Sequence, residues 1–242
     1  MRTCVRSPAT QLEPVTVSRE PKSQPFDLVI FDCDGVLVDS EVISTHTLLD
    51  TLAANGLDVD IGYVRKTYLG RSISVVKADY LRLTGRDLIE TFESDFLSRL
   101  CAAYRSELLA MQGVKELIAS LAGPYCMATS SSIERATLSL ELTGLAPFFE
   151  GRVFCASMVA RGKPAPDLFL HAARAFGADP AHCLVIEDSE VGVLAAQNAG
   201  MTVWRFVGGS HFRDTGEAAP TAESGVPVFE SMDAMAAKLR SG

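Results

Sequence analysis

The sequence lacks a basic cluster, a CxxC pair and any long apolar run. Nucleic-acid backbones are bound chiefly by clustered Lys and Arg. With no such cluster, a formal charge of −8 and a pI near 5.0, a nucleic-acid partner is not expected. The six cysteines, Cys4, Cys33, Cys101, Cys126, Cys155 and Cys183, are scattered, several of them inside apolar runs, which fits a reducing cytoplasm. No stretch approaches the ~18 to 20 apolar residues of a membrane span, and no apolar signal core follows the N-terminal positive charges. The expectation is a soluble, unexported chain with no membrane partner.

What is present is hydrophobic substance: 48% of 242 residues, enough for one large core, or for one core and a smaller module. Residues 1–25 hold four prolines, several Ser and Thr and no apolar period, and so are expected to form a disordered leader. A basic transit sequence is the alternative, against which Glu13 and Glu20 count. Beyond Asp27 short apolar runs begin: Leu28 to Phe31, Tyr125 to Thr129, Cys183 to Ile186 and Thr202 to Phe206, with a weaker one from Val153 to Ala156. Helical patterns separate them. After Asp188, for example, Ser189 is a good N-cap, Val191, Leu194 and Ala195 share a face, and Gly200 stands at the stop. Strands alternating with helices specify a parallel sheet covered on both faces, an α/β Rossmann-like core. Between the first two strands the pattern is helical almost throughout. The expected division is therefore a core from residues 26–40 and 111–242 and an inserted helical unit at 41–110.

The strand ends carry the chemistry. Asp32 and Asp34 lie two apart at the end of an apolar strand, so the alternation of side chains turns both to one side, with Cys33 opposite. Open parallel sheets bind ligands at that end of their strands. An isolated DxDG equally marks a turn before Gly35. Acids and hydroxyls recur, however, at matching ends: Glu187 and Asp188 after one run, Thr129, Ser130, Ser131 and Ser132 after another. Four carboxylates in one cleft raise one another's pKa unless a cation joins them, and an all-oxygen site suits magnesium. Lys163 adds a positive charge able to pair with Asp32 and a substrate anion, or is a solvated loop lysine.

Phe31-Asp-Cys-Asp-Gly-Val-Leu-Val-Asp-Ser40 resembles the first motif of haloacid dehalogenase-type phosphatases. Ser130 resembles the second, Gly162-Lys-Pro-Ala-Pro-Asp-Leu-Phe169 the third, and Ile186-Glu-Asp-Ser-Glu-Val-Gly192 the fourth. Four ordered motifs across residues 27 to about 207 are a specific signal. The resemblance implies a nucleophilic Asp32 that becomes an aspartyl phosphate, and an Asp34 that acts as general acid and base at a pKa near working pH. It also implies magnesium on Asp32, Asp188 and the Asp34 main-chain carbonyl, with Glu187 binding directly or through water. Ser130 and Lys163 are implied to hold the phosphoryl oxygens, helped by backbone N–H groups after Asp32 and near Ser131.

An acid at Asp34 favours phosphate esters over the carbon–halogen and carbon–phosphorus branches of the superfamily. The insert resembles the small helical cap that closes over small substrates. Tyr68-Leu-Gly-Arg-Ser72 resembles the cap's substrate loop, making Arg71 a candidate for a polar or anionic leaving group, or else a surface arginine. The expected substrate is a small phosphorylated metabolite, a sugar phosphate or sugar-acid phosphate. A β-phosphoglucomutase-like isomerase is the runner-up. Against it, Ser44 stands where those mutases carry a hinge histidine, Ile73 stands in place of their cap arginine, and His46 is two residues off register. A catalytically idle binding protein is the third reading, made less attractive by the intact set of site residues. His171 and His182 read as surface or packing residues. His211, within Gly208-Gly-Ser-His-Phe212, could face the cleft, though a lone GGS is weak evidence.

Overall fold

The computed structural model describes residues 25–68, 71–213 and 225–241. The expected leader, Pro25 apart, lies outside the described residues, as do Leu69 and Gly70 of the loop before Arg71. The chain order is β1 (Leu28–Phe31), α1 (Glu41–Ala54), α2 (Ile61–Tyr68), α3 (Ile73–Thr84), α4 (Phe92–Glu107), α5 (Val114–Ala119) and β2 (Tyr125–Thr129). There follow α6 (Ile133–Leu142), α7 (Ala146–Phe149), β3 (Val153–Cys155), α8 (Asp167–Ala175), β4 (Cys183–Glu187), α9 (Glu190–Asn198) and β5 (Thr202–Phe206). The described elements end with α10 (Ser210–Arg213), β6 (Val228–Phe229) and α11 (Met232–Ser241).

All six strands are parallel, in the order β3-β2-β1-β4-β5-β6, which is the α/β core expected. Strand alternation distributes the apolar side chains to two layers. Val29, Phe31, Met127, Leu184 and Ile186 face one layer with Tyr104, Leu117 and Met235. Leu28, Ile30, Cys126, Ala128 and Val185 face the other with Phe169, Ala172 and Ala196. Both sides of β1 and β4 are dry, which is why these strands read as continuous apolar runs. β6, only two residues long, is too short to show a period.

The face of α9 differs from the sequence reading. Gly192, Val193, Ala195 and Ala196 are buried, whereas Leu194 is 46% exposed. The helix is turned so that Gly192 sits over Glu187: a Cβ there would lie 1.7 Å from Glu187 Oε1. Packing of the acid against a bare backbone thus overrides the apolar face containing Leu194.

Helices α1 to α4 enclose a third cluster of their own, formed by Leu48, Leu52, Leu57, Val64, Tyr68, Val76, Tyr80 and Phe92. The chain leaves the sheet and returns to it at one place. Asp39 N donates to Leu109 O (3.0 Å), and Met111 N donates to Leu37 O (2.9 Å), a short ribbon that ties the exit to the return.

Candidate active site

Parallel pairing of β1 with β4 sets Phe31 beside Ile186, and Asp32 N extends the ladder by donating to Ile186 O (2.9 Å). Asp32 and Glu187 therefore emerge as neighbours, followed by Asp188. All three carboxylates are buried, and one oxygen from each lies within 4.8 Å of the others. Lys163 reaches them from the loop before α8. Its Nζ is 2.6 Å from Asp32 Oδ1, 2.7 Å from Glu187 Oε1 and 3.2 Å from Ala128 O, and it lies 4.8 Å from the Phe169 ring centre. The side chain is 2% exposed, which rules out the solvated-loop reading.

One ammonium faces three acids. Burial pushes the Asp32 carboxyl well above its ordinary range, with Glu187 and Asp188 adding to the rise and Lys163 opposing it. Asp188 is raised likewise, by burial and then by Glu187. Burial alone would lower the ammonium pKa, but the two adjacent acids hold Lys163 above its ordinary value. Three buried oxygen donors with one compensating charge fit a hard divalent cation in both charge and donor type.

Asp34 is bound differently. Its Oδ1 accepts from Ser40 Oγ (2.6 Å) and Arg135 Nη2 (2.8 Å), and its Oδ2 accepts from Ser131 Oγ (2.6 Å). Burial works to raise this carboxyl, but the Arg135 guanidinium and the hydroxyl donors outweigh it and leave it below its ordinary value. The sequence reading had placed Asp34 near working pH; three donors on two oxygens hold it ionised instead. Ser131 also departs from expectation, since its side chain serves Asp34 and its N–H donates to Thr129 Oγ1 (3.0 Å).

Arg135 is the residue that sequence reasoning missed. It sits in the first turn of α6, where the helix dipole disfavours a cation. That misplacement was the available signal. The guanidinium also reaches Ser44 Oγ (2.8 Å) and Tyr104 OH (2.7 Å), joining α6 to α1 and α4. Glu41, buried at the start of α1, was missed as well. Burial, then Asp34 and Asp188, push its carboxyl up to about 8.

A cavity of about 310 Å³ opens over these groups. Asp32, Asp34, Ser130, Lys163, Glu187 and Asp188 line its floor, while Val64, Tyr68, Arg71, Ile73 and Phe96 line its far wall. Arg71 is thus among the residues lining the cavity, and is exposed. His171 packs edge-on against Phe154, as a bland histidine should, and His182 is exposed. His211 is the exception: it is buried, with Nε2 3.2 Å from Asp188 Oδ2, and burial lowers its pKa.

The model of the haloacid dehalogenase-like hydrolase family matches residues 26–200. The chain is 28% identical over 191 residues to the 6-phosphogluconate phosphatase of Escherichia coli, covering 77% of this chain and 85% of that protein. It is 34% identical over 191 residues to a probable pseudouridine-5'-phosphatase of Drosophila melanogaster, covering 72% and 78%. Among solved structures, a conserved haloacid dehalogenase-like protein from Agrobacterium tumefaciens superposes with a TM-score of 0.71 at 30% identity, covering 89% of this chain and 98% of that one. With the motif strands, the buried acid trio and these likenesses together, the chain belongs to the haloacid dehalogenase-like hydrolases, as an enzyme of the phosphatase type.

Proposed function

We propose that the protein is a magnesium-dependent phosphatase that hydrolyses a small phosphorylated metabolite, a sugar phosphate or sugar-acid phosphate, through an aspartyl phosphate on Asp32. The observation that carries this reading is Asp32 itself: a buried carboxylate paired with Lys163 at the floor of a cavity sized for a small metabolite. Named relatives acting on 6-phosphogluconate and fructose-1-phosphate support the substrate class.

In the first half-reaction an Asp32 oxygen attacks phosphorus, the bond from phosphorus to the ester oxygen breaks, and Asp34 gives its proton to the leaving alkoxide. In the second, water attacks phosphorus, the acyl-phosphate bond breaks, and Asp34 takes the water's proton. Asp34 rests as the base, so it must acquire a proton when substrate binds. A phosphate brought beside it opposes the pull of Arg135 and favours that uptake. Lys163 and Ser130 hold the non-bridging oxygens. Asp32, Asp188, the Asp34 carbonyl and Glu187, directly or through water, would hold magnesium, which would supply charge neutralisation at the phosphoryl group. Residues 41–110 act as a cap over a core of residues 26–40 and 111–242, with Arg71 meeting the leaving group.

The mutase reading is weaker because Ser44, in place of the hinge histidine, is already engaged by Arg135 and Tyr104. A phosphate-release screen over sugar phosphates, sugar-acid phosphates, nucleotides and polyol phosphates, with Asp32→Asn alongside, tests the proposal. Release from a narrow group, abolished by EDTA and by the substitution, supports it. Interconversion of hexose 1- and 6-phosphates without net release would refute it.

A further inference from the structure

Each member of the acid trio needs something to fix its orientation, because a carboxylate that rotates freely loses entropy on binding a cation. Asp32 has Lys163. Glu187 has Lys163 on one oxygen and Ser189, through its N–H (2.8 Å) and hydroxyl (2.9 Å), on the other. For Asp188, among the described residues, the only basic side chain within ion-pair distance of the carboxylate is His211, at 3.2 Å from Nε2 to Oδ2.

The loop that delivers His211 is built for close packing. Ser210 donates from both N (3.0 Å) and Oγ (2.8 Å) to Asp39 Oδ1, so α10 is pinned to the loop that carries Asp32 and Asp34. Gly209 has no Cβ, and one there would meet the imidazole at 2.6 Å. Gly35 is equally bare, and its missing Cβ would strike Asp188 Oδ2 at 2.0 Å and the imidazole at 3.2 Å. Carboxylate and ring are thus packed against the same two backbones, with the Phe212 ring 4.1 Å from the imidazole. His211 is 5% exposed, yet neither ring nitrogen is aligned for a hydrogen bond. Leaving such a group unsatisfied is costly. A small rotation of the Asp188 carboxylate onto Nε2 would relieve the cost at that nitrogen.

We infer that His211 is a positioning residue for Asp188: its Nε2–H donates to Oδ2 and turns the other carboxylate oxygen toward Asp32 and Glu187. The inference rests on the trio being the magnesium site. Ring nitrogens that orient a ligand carboxylate are worth about 10–100-fold in metal affinity.

The test is isothermal titration of magnesium chloride into protein freed of metal, with a metal-free thermal melt of each variant as the check on folding. Gln places its amide nitrogen near the position of Nε2, Asn places it near Nδ1, and Phe supplies neither. His211→Asn and His211→Phe should bind magnesium about 10–100-fold more weakly than wild type, with His211→Gln restored most of the way. A packing role would not separate the two amides. Equal affinity in all three variants, or a Gln variant as weak as the Asn variant, overturns the inference. If Asn does not fold, the comparison of Phe with Gln decides it in the same way. A wild type that binds no magnesium overturns the metal reading, and this inference falls with it.

Discussion

Replacing Arg135 with Met removes the cation that, alone among the described residues, forms an ion pair with Asp34, and leaves Ser44 and Tyr104 short of a partner. The pair is nearly buried, at 18% and 12% side-chain exposure, so breaking it costs about 3–5 kcal/mol of metal-free stability at pH 7.5. The sign with pH follows from the two proteins. In the wild type the folded-state pKa of Asp34 is lowered. Its contribution is therefore present above the unfolded value of about 3.9 and is lost as pH falls through the lower, folded value. In the variant, burial acts with less opposition and the folded pKa rises. A penalty is then complete above that raised value and dwindles to nothing as pH falls from it to the unfolded value. Both effects close the gap on acidification, the variant's above about pH 3.9 and the wild type's below it, by about 1.4 kcal/mol for each pKa unit concerned. Urea denaturation of both proteins at pH 7.5 and pH 4.5, in EDTA, measures the variant's share, because the wild type keeps its own contribution in full at both. A gap of the same size at both pH values would refute the penalty on a buried, unpaired Asp34 carboxylate in the variant.

Other predictions follow from neighbouring groups. Lys163→Met should lower phosphate release by at least about 100-fold. The metal-free variant should also be less stable than wild type, with added magnesium recovering more stability in the variant than in wild type. Glu41, with its carboxyl pushed up to about 8, is bound to its proton more tightly folded than unfolded. Its contribution therefore declines as pH rises from near 4 and levels off above about 8. Glu41→Gln should stabilise the metal-free protein at pH 8.5 and change little at pH 5, as read by thermal melts; the opposite ranking would contradict the burial argument. Gly192→Ala puts a methyl at 1.7 Å from Glu187 Oε1, from a helix backbone with little room to yield. It should cost about 1–3 kcal/mol by overpacking and displace Glu187 from Lys163, lowering activity beyond the loss in stability.

The parts of this fold that local pattern controls were legible. Leu28 to Phe31 and Cys183 to Ile186 read as buried strands because both faces are dry, and the acids ending them fall side by side because parallel pairing aligns strand ends. What could not be read depends on reach and rotation. Arg135 meets Asp34 across 101 positions of sequence, through a side chain whose direction no periodicity encodes. The ionised state of Asp34 followed that contact out of view. His211 enters the site only because bare backbone at Gly209 and Gly35 leaves room for its ring, and α9 turns to place Gly192, rather than an apolar stripe, against the sheet.

The ribbon joining Leu37 and Asp39 to Leu109 and Met111 has a bearing on how such a molecule changes over generations. Because the two crossing points are stitched together, everything between them is, for the sheet, a closed detour. Doubling the length of a detour costs about 0.6 kcal/mol in closure entropy, whereas shifting a strand end by one residue turns its side chains to the opposite face. A lineage can therefore lengthen, trim or exchange the parts of that span that touch neither the sheet layer nor Asp34 at little thermodynamic risk, while Ser40, Ser44, Tyr104 and the strand ends stay in place. With that span as the proposed cap, substrate choice is free to drift on a chemistry that is not.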